Sequence, residues 1–198
     1  RFAKWRAVIT IGSDIPSEHC VAANAHALAR YASLCQEASI VPIVEPEVLM
    51  DGMHTIESCY DVTDRTLNCV FDTLKLHNVM LEGIVLKPNM VISGMNCTEQ
   101  ADVKTVSEMT VKVLKANVPN EVPGIAFLSG GQSSDDATTH LNSMNKNNSD
   151  MPWNLTYSYG RALQADALVN WGGSDRDSGQ EALLVRAKSN GLATRGDL

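Results

Sequence analysis

Five short stretches of this chain carry residue types that can do carbonyl and phosphate chemistry. They are Lys4 with Arg6, Glu45-Pro46-Glu47, Lys87-Pro88-Asn89, Ser129-Gly130-Gly131-Gln132 and Ser158-Tyr159-Gly160-Arg161. Lys87 follows Ile84, Val85 and Leu86 directly. Partial desolvation and nearby cations favour the neutral form of such an amine. A neutral amine attacks a carbonyl to form an iminium, which then serves as an electron sink for C–C cleavage. The competing reading of Lys87 is a solvated lysine at a strand end. Glu45 and Glu47 project to one side of their segment. Two carboxylates held close suit one for acid duty and the other for base duty. The alternative is a pair of structural salt bridges to Lys4 or Arg6.

The glycine-bearing stretches read differently. Glycine lets the backbone approach an anion, and each stretch precedes a predicted helix whose first amides can donate to phosphate. Arg161 adds a bidentate grip. The same device on two consecutive segments describes a site for a phosphorylated carbonyl compound beside a reactive lysine.

These residues need a scaffold that gathers segment ends. Five apolar runs read as strands: Trp5–Ile11, Ile40–Val44, Gly83–Leu86, Gly124–Leu128 and Asn154–Tyr157. They are nearly continuous in hydrophobicity rather than alternating, as strands covered on both faces are. Helical stripes separate them. Val21, Ala25, Leu28, Ala32 and Cys35 form one, and Ile56, Tyr60, Thr63, Leu67, Val70 and Leu74 another. Further helices are predicted over Val103–Leu114, Asp135–Asn145, Arg161–Trp171 and Gln180–Asn190. Ser133 opens the fourth, and a Ser178–Glu181 capping box opens the last. Strand–helix alternation without reversal implies a parallel sheet with right-handed crossovers. In both architectures this allows, an open doubly wound sheet or part of an eightfold barrel, ligands bind beyond the carboxyl ends of the strands. No GxGxxG opens the first unit, which removes support from a dinucleotide fold.

Bulk properties narrow the partners. The 198 residues are 44% hydrophobic and 20% charged, with a net charge of -7. That balance argues against a nucleic-acid partner, and no apolar run is long enough to span a membrane. Cys20, Cys35, Cys59, Cys69 and Cys97 include no CxxC pair and read as reduced thiols, with no metal site. N-x-S/T triplets occur at Asn96, Asn147 and Asn154, and the last, in a strand expected to be buried, reads as chance. The stretch 145–150 reads as a mobile polar loop. The opening RFAKWRAVIT lacks both a signal-peptide core and Met, so the chain is expected to be a piece of a longer protein.

The motifs AKWR, IVPIVEPE, LEGIVLKPNMV, VPGIAFLSGGQS, LNSMNK and SYGRALQADALVNWGG, in this order and spacing, resemble the class I fructose-1,6-bisphosphate aldolases. The resemblance covers nearly the whole chain and fades after about Trp171. It implies a single domain, residues 1–198, forming five of the eight βα units of a TIM barrel. It implies reversible cleavage of fructose 1,6-bisphosphate to dihydroxyacetone phosphate and glyceraldehyde 3-phosphate. Lys87 would be the Schiff-base lysine, Glu45 the acid/base residue with Glu47 beside it, and Lys4 a substrate-contacting lysine with Arg6 nearby. Ser129, Gly130, Gly131, Ser158, Gly160 and Arg161 would bind phosphate. The same resemblance implies no metal or other cofactor, a homotetramer, and a cytoplasmic or plastid location. It also implies three earlier strands, bearing an aspartate and another lysine, and a tyrosine-ended tail. Without matches for these, the 198 residues alone are expected to be inactive or nearly so. The competing reading is a non-catalytic, aldolase-like scaffold. MDGMHTIESCYD and GMNCTEQADV depart from the family pattern, in segments expected to be loops and outer helix faces.

Overall fold

The computed structural model describes residues 1–148 and 150–198. The chain runs β1 (Phe2–Ile9), α1 (Glu18–Glu37), β2 (Val41–Val48), α2 (Ile56–Leu76), a 3-10 turn (Leu81–Gly83), β3 (Val85–Leu86) and α3 (Val103–Asn117). It continues through β4 (Gly124–Phe127), α4 (Ser134–Asn147), β5 (Asn154–Tyr157), α5 (Arg161–Trp171) and α6 (Arg176–Ala193). The strands lie in the order β1-β2-β3-β4-β5, every neighbouring pair parallel. Each crossover therefore adds the next strand on the same side. A doubly wound sheet would reverse its order at a switch point, so this is the winding of a barrel wall.

One face of the sheet is packed and the other is chemical. Leu28 and Ala32 of α1, Leu67 and Phe71 of α2, Leu114 of α3 and Leu141 of α4 are buried with Leu86, Ile125 and Phe127 of the strands. In β1, Ala7 and Ile9 are buried, and Trp5 lies with its ring centroid 6.0 Å from that of Tyr31 on α1. Alternation along the strand turns Lys4 and Arg6 to the opposite, inner face. The register sets Lys4 beside Ile43 and Arg6 beside Glu45.

Several boundaries differ from expectation. β1 starts and stops earlier than Trp5–Ile11, and β2 runs on through Glu45-Pro46-Glu47 to Val48 instead of stopping at Val44. The glutamates read as a strand's end because they are charged, yet they belong to its polar inner face. Pro42 and Pro46 are tolerated because β3 pairs only with Ile43 and Val44, leaving that side of β2 short of ladder bonds. α6 starts at Arg176, not at a Ser178–Glu181 box, because the Asp175 carboxylate accepts from the Ser178 N–H and caps it first. Ser133 does cap α4, accepting from the Asp136 N–H at 3.0 Å. That helix extends to Asn147, so most of the expected loop 145–150 is helical or turn; Ser149, which completes the Asn147 triplet, lies outside the described residues. Asn154 does open a strand, but its side chain is exposed rather than buried. All five cysteines are free. No described helix is long and apolar enough to cross a membrane.

Candidate active site

Three strands deliver the cationic and acidic groups to one point. Glu45 of β2 is nearly sealed, its side chain 3% exposed. Its Oε1 lies 3.0 Å from Lys87 Nζ, just past β3, and its Oε2 lies 2.9 Å from Lys4 Nζ on β1. The Lys4 contact is an ion pair without hydrogen-bond alignment, since Oε2 accepts no aligned bond. Lys87 is 14% exposed and Lys4 40%, so the two lysines approach one carboxylate from inside and outside. The Lys87 amine thus has an acid in contact, with the Lys4 cation on the far oxygen of the same carboxylate.

Glu47 has a different partner. It accepts a hydrogen bond from Arg6 Nε, which raises the affinity of the Arg6 guanidinium for its proton. Both glutamates are thus ion-paired, Glu47 with Arg6 and Glu45 with Lys4 and Lys87. Diagonal pairing makes the difference, because Lys4 and Arg6 each reach a residue two positions further along β2 than their register partners.

Asn89, the last residue of LKPN, secures the strand ends. Asn89 Oδ1 accepts from the Val48 N–H at 3.0 Å, and its Nδ2 donates to Thr63 Oγ1 and to the Met90 carbonyl, both at 3.1 Å. One buried amide thereby ties the end of β2 to the end of β3 and to α2. The Lys87 N–H donates to the Val44 carbonyl at 2.8 Å, continuing the ladder into the motif. Sequence reading had placed Asn89 at the strand end without giving it a task.

Beyond β4, Gly130 (φ 60°) and Gly131 (φ 91°) both occupy the left-handed region, where residues with a Cβ are strained. Their N–H groups have no acceptor among the described residues. Ser129 is buried, while Ser158, Gly160 and Arg161 are exposed. A Cβ on Gly131 would lie 3.4 Å from Arg161 Nη2 and 3.0 Å from Met50 Sδ, so the β4 and β5 turns adjoin. Gly160 is the residue before α5, with open space where its Cβ would be. Every residue expected at the site thus stands at the carboxyl end of the sheet or on its inner face. Among the described residues, no three His, Cys, Asp or Glu side chains gather closely enough for a metal ion.

A family description, fructose-bisphosphate aldolase class-I, matches residues 1–198. The chain belongs to that family. A probable class 1 fructose-bisphosphate aldolase of Xanthomonas campestris pv. campestris is 56% identical over 199 residues, spanning 99% of this chain and 59% of that protein. The cytosolic fructose-bisphosphate aldolase 4 of Arabidopsis thaliana is 50% identical, over 99% of this chain and 50% of its own length. The solved Plasmodium falciparum fructose-bisphosphate aldolase, crystallised with TRAP and a small-molecule inhibitor, superposes with a TM-score of 0.96 at 48% identity. That match covers 100% of this chain and 58% of the solved one. The chain thus spans between half and three fifths of these aldolases.

The segments MDGMHTIESCYD and GMNCTEQADV are bound to each other. Met95, Asn96 and Gly94 N–H groups donate to the carbonyls of Met50, Gly52 and His54 at 2.7, 2.9 and 2.8 Å. They form a bridge between the loops after β2 and β3.

Proposed function

We propose that this chain carries the Schiff-base centre of a fructose-bisphosphate aldolase, with Lys87 as nucleophile and Glu45 as its proton partner. The observation that supports this most is the 3.0 Å approach of the buried Glu45 Oε1 to the Lys87 amine, which is itself only 14% exposed. A base at hydrogen-bond range is what an amine needs to shed its proton before attack. The amine then adds to the ketone of fructose 1,6-bisphosphate and water leaves, giving an iminium. As the C4 hydroxyl gives up its proton, the C3–C4 bond breaks and its electron pair flows into the iminium as an enamine, releasing glyceraldehyde 3-phosphate. Protonation of the enamine and addition of water return Lys87 and release dihydroxyacetone phosphate. Glu45 carries protons in these steps, Lys4 holds its other oxygen, and Glu47 keeps Arg6 in place. The glycine turns after β4 and β5, with Arg161, receive the phosphates.

The names of the plant relatives support a cytosolic location, and the family supports a homotetramer, which sedimentation of this chain would check. The 198 residues by themselves are proposed to turn over substrate slowly or not at all, because β1 and β5 are open edges and Lys4 stands half in solvent. The deciding experiment is borohydride trapping with dihydroxyacetone phosphate, followed by peptide mapping. A reduced adduct on Lys87, absent in Lys87→Arg, is expected. A folded sample without any adduct would move the chain to the scaffold reading.

A further inference from the structure

The Ser129–Gly131 turn does not hold its own shape. Two consecutive left-handed glycines leave that conformation again at little cost. The grip comes from the next residue. The backbone N–H of Gln132 donates to the Ser129 carbonyl at 3.0 Å, and the Gln132 side-chain Nε2 donates to the same oxygen at 3.0 Å. Two donors on one carbonyl fix its direction, while the N–H groups of Gly130 and Gly131 stay free for an anion.

Gln132 is itself held. Its Oε1 accepts from His140 Nδ1 at 2.6 Å, and its Nε2 lies 3.6 Å from Met90 Sδ. His140 sits in α4 and is only 8% exposed, so water offers this bond little competition. Burial also lowers the imidazole's proton affinity, against a smaller opposing pull from Asp136. The neutral ring must then carry its proton on Nδ1 to serve an amide oxygen.

We propose that Gln132 and His140 form a positioning pair for a phosphate monoester: His140 orients the Gln132 amide, and Gln132 fixes the Ser129 carbonyl so that the glycine amides meet the anion. The proposal rests on the reading of this turn as a phosphate subsite. A bond that merely tied α4 to the sheet would leave phosphate affinity unchanged, so the ligand separates the two roles.

The test is titration calorimetry of this chain with inorganic phosphate, on the wild type, Gln132→Met, His140→Phe and His140→Asn. Borohydride trapping at Lys87 is run beside it with dihydroxyacetone and with dihydroxyacetone phosphate. Gln132→Met and His140→Phe are expected to weaken phosphate binding about tenfold, the scale of one lost hydrogen bond. They should lose the phosphorylated ketone's trapping advantage by the same factor and leave dihydroxyacetone trapping unchanged. His140→Asn, which keeps an N–H donor, should retain most of both, and it decides the matter if the others fail to fold. Folded variants with wild-type phosphate affinity would overturn the proposal, as would a wild type that binds no phosphate. A chain that binds phosphate through this pair but traps neither ketone would sink the Schiff-base reading and leave the pair supported.

Discussion

Single residues here have sharply different tolerances. Gly131 and Gly160 look alike in sequence, each a glycine before a helix. Gly131→Ala would force a Cβ into a left-handed residue and against Met50 Sδ at 3.0 Å, whereas Gly160→Ala meets open space. The first should cost about 1–2 kcal/mol in chemical denaturation, and the second should lie within about 0.5 kcal/mol of wild type. Two partly or fully buried histidines give a second, pH-resolved expectation. Burial lowers the proton affinity of His54 and His140 below the ordinary value of 6.5. The unfolded chain therefore binds more protons below that pH, so stability is intact above 6.5 and falls as the medium is acidified. His140→Asn should flatten the denaturation profile below pH 6.5. An unchanged slope would show that His140 titrates normally. Lys87 and Glu45 were legible because charge inside an apolar run is conspicuous. His140 was not, since a histidine on an amphipathic helix says nothing of the glutamine eight residues earlier that it will meet.

At the scale of elements, the loops after β2 and β3 depend on close contact. A Cβ at Gly94 would lie 2.5 Å from the Gly52 carbonyl oxygen, which belongs to backbone and cannot swing away. Gly94→Ala is thus expected to cost about 1–3 kcal/mol and to raise hydrogen exchange at Met95 and Asn96, whose amides complete the bridge. Asn89→Leu should loosen the Val48 amide in the same experiment, because three buried bonds go with the side chain. The order of elements could be read from sequence: the runs are apolar, the stripes are helical, and nothing in the chain suggests a reversal. Two things could not. The winding that separates a barrel wall from a doubly wound sheet lies in strand order, to which local pattern is blind. The full length of β2 was hidden because its inner face is polar, and Glu45-Pro46-Glu47 imitates a loop. The pairing of Arg6 with Glu47, and of Lys4 and Lys87 with Glu45, likewise follows from diagonal geometry that spacing leaves open.

For the whole molecule, the described surface is unusually apolar along its margins. Phe2 on β1 is 72% exposed and Val169 on α5 is 80% exposed, with Leu168, Leu184 and Val185 close by in α5 and α6. Uncovered strand edges and apolar helix faces promote association. Sedimentation of the purified chain should show concentration-dependent species larger than its 21.4 kDa. Val169→Lys with Leu184→Lys should shift the distribution toward monomer, and a wild type that stays monomeric at high concentration would refute this.

The sharing of Glu45 by two lysines has an electrostatic consequence on a longer range. Lys4, Arg6 and Lys87 bring three cations to the two carboxylates of Glu45 and Glu47, and Arg161 adds another beside the Gly131 turn, so this end of the sheet keeps an excess of positive charge on a chain whose net charge is -7. A dianion diffusing nearby is repelled by most of the surface and drawn to this one mouth. Capture should accordingly slow as ionic strength rises and the screening length shrinks from about 10 Å at 0.1 M to about 3 Å at 1 M. Under the proposed mechanism an iminium at Lys87 would keep that positive charge until C–C cleavage turned it into a neutral enamine, so the attraction would be strongest before the bond breaks.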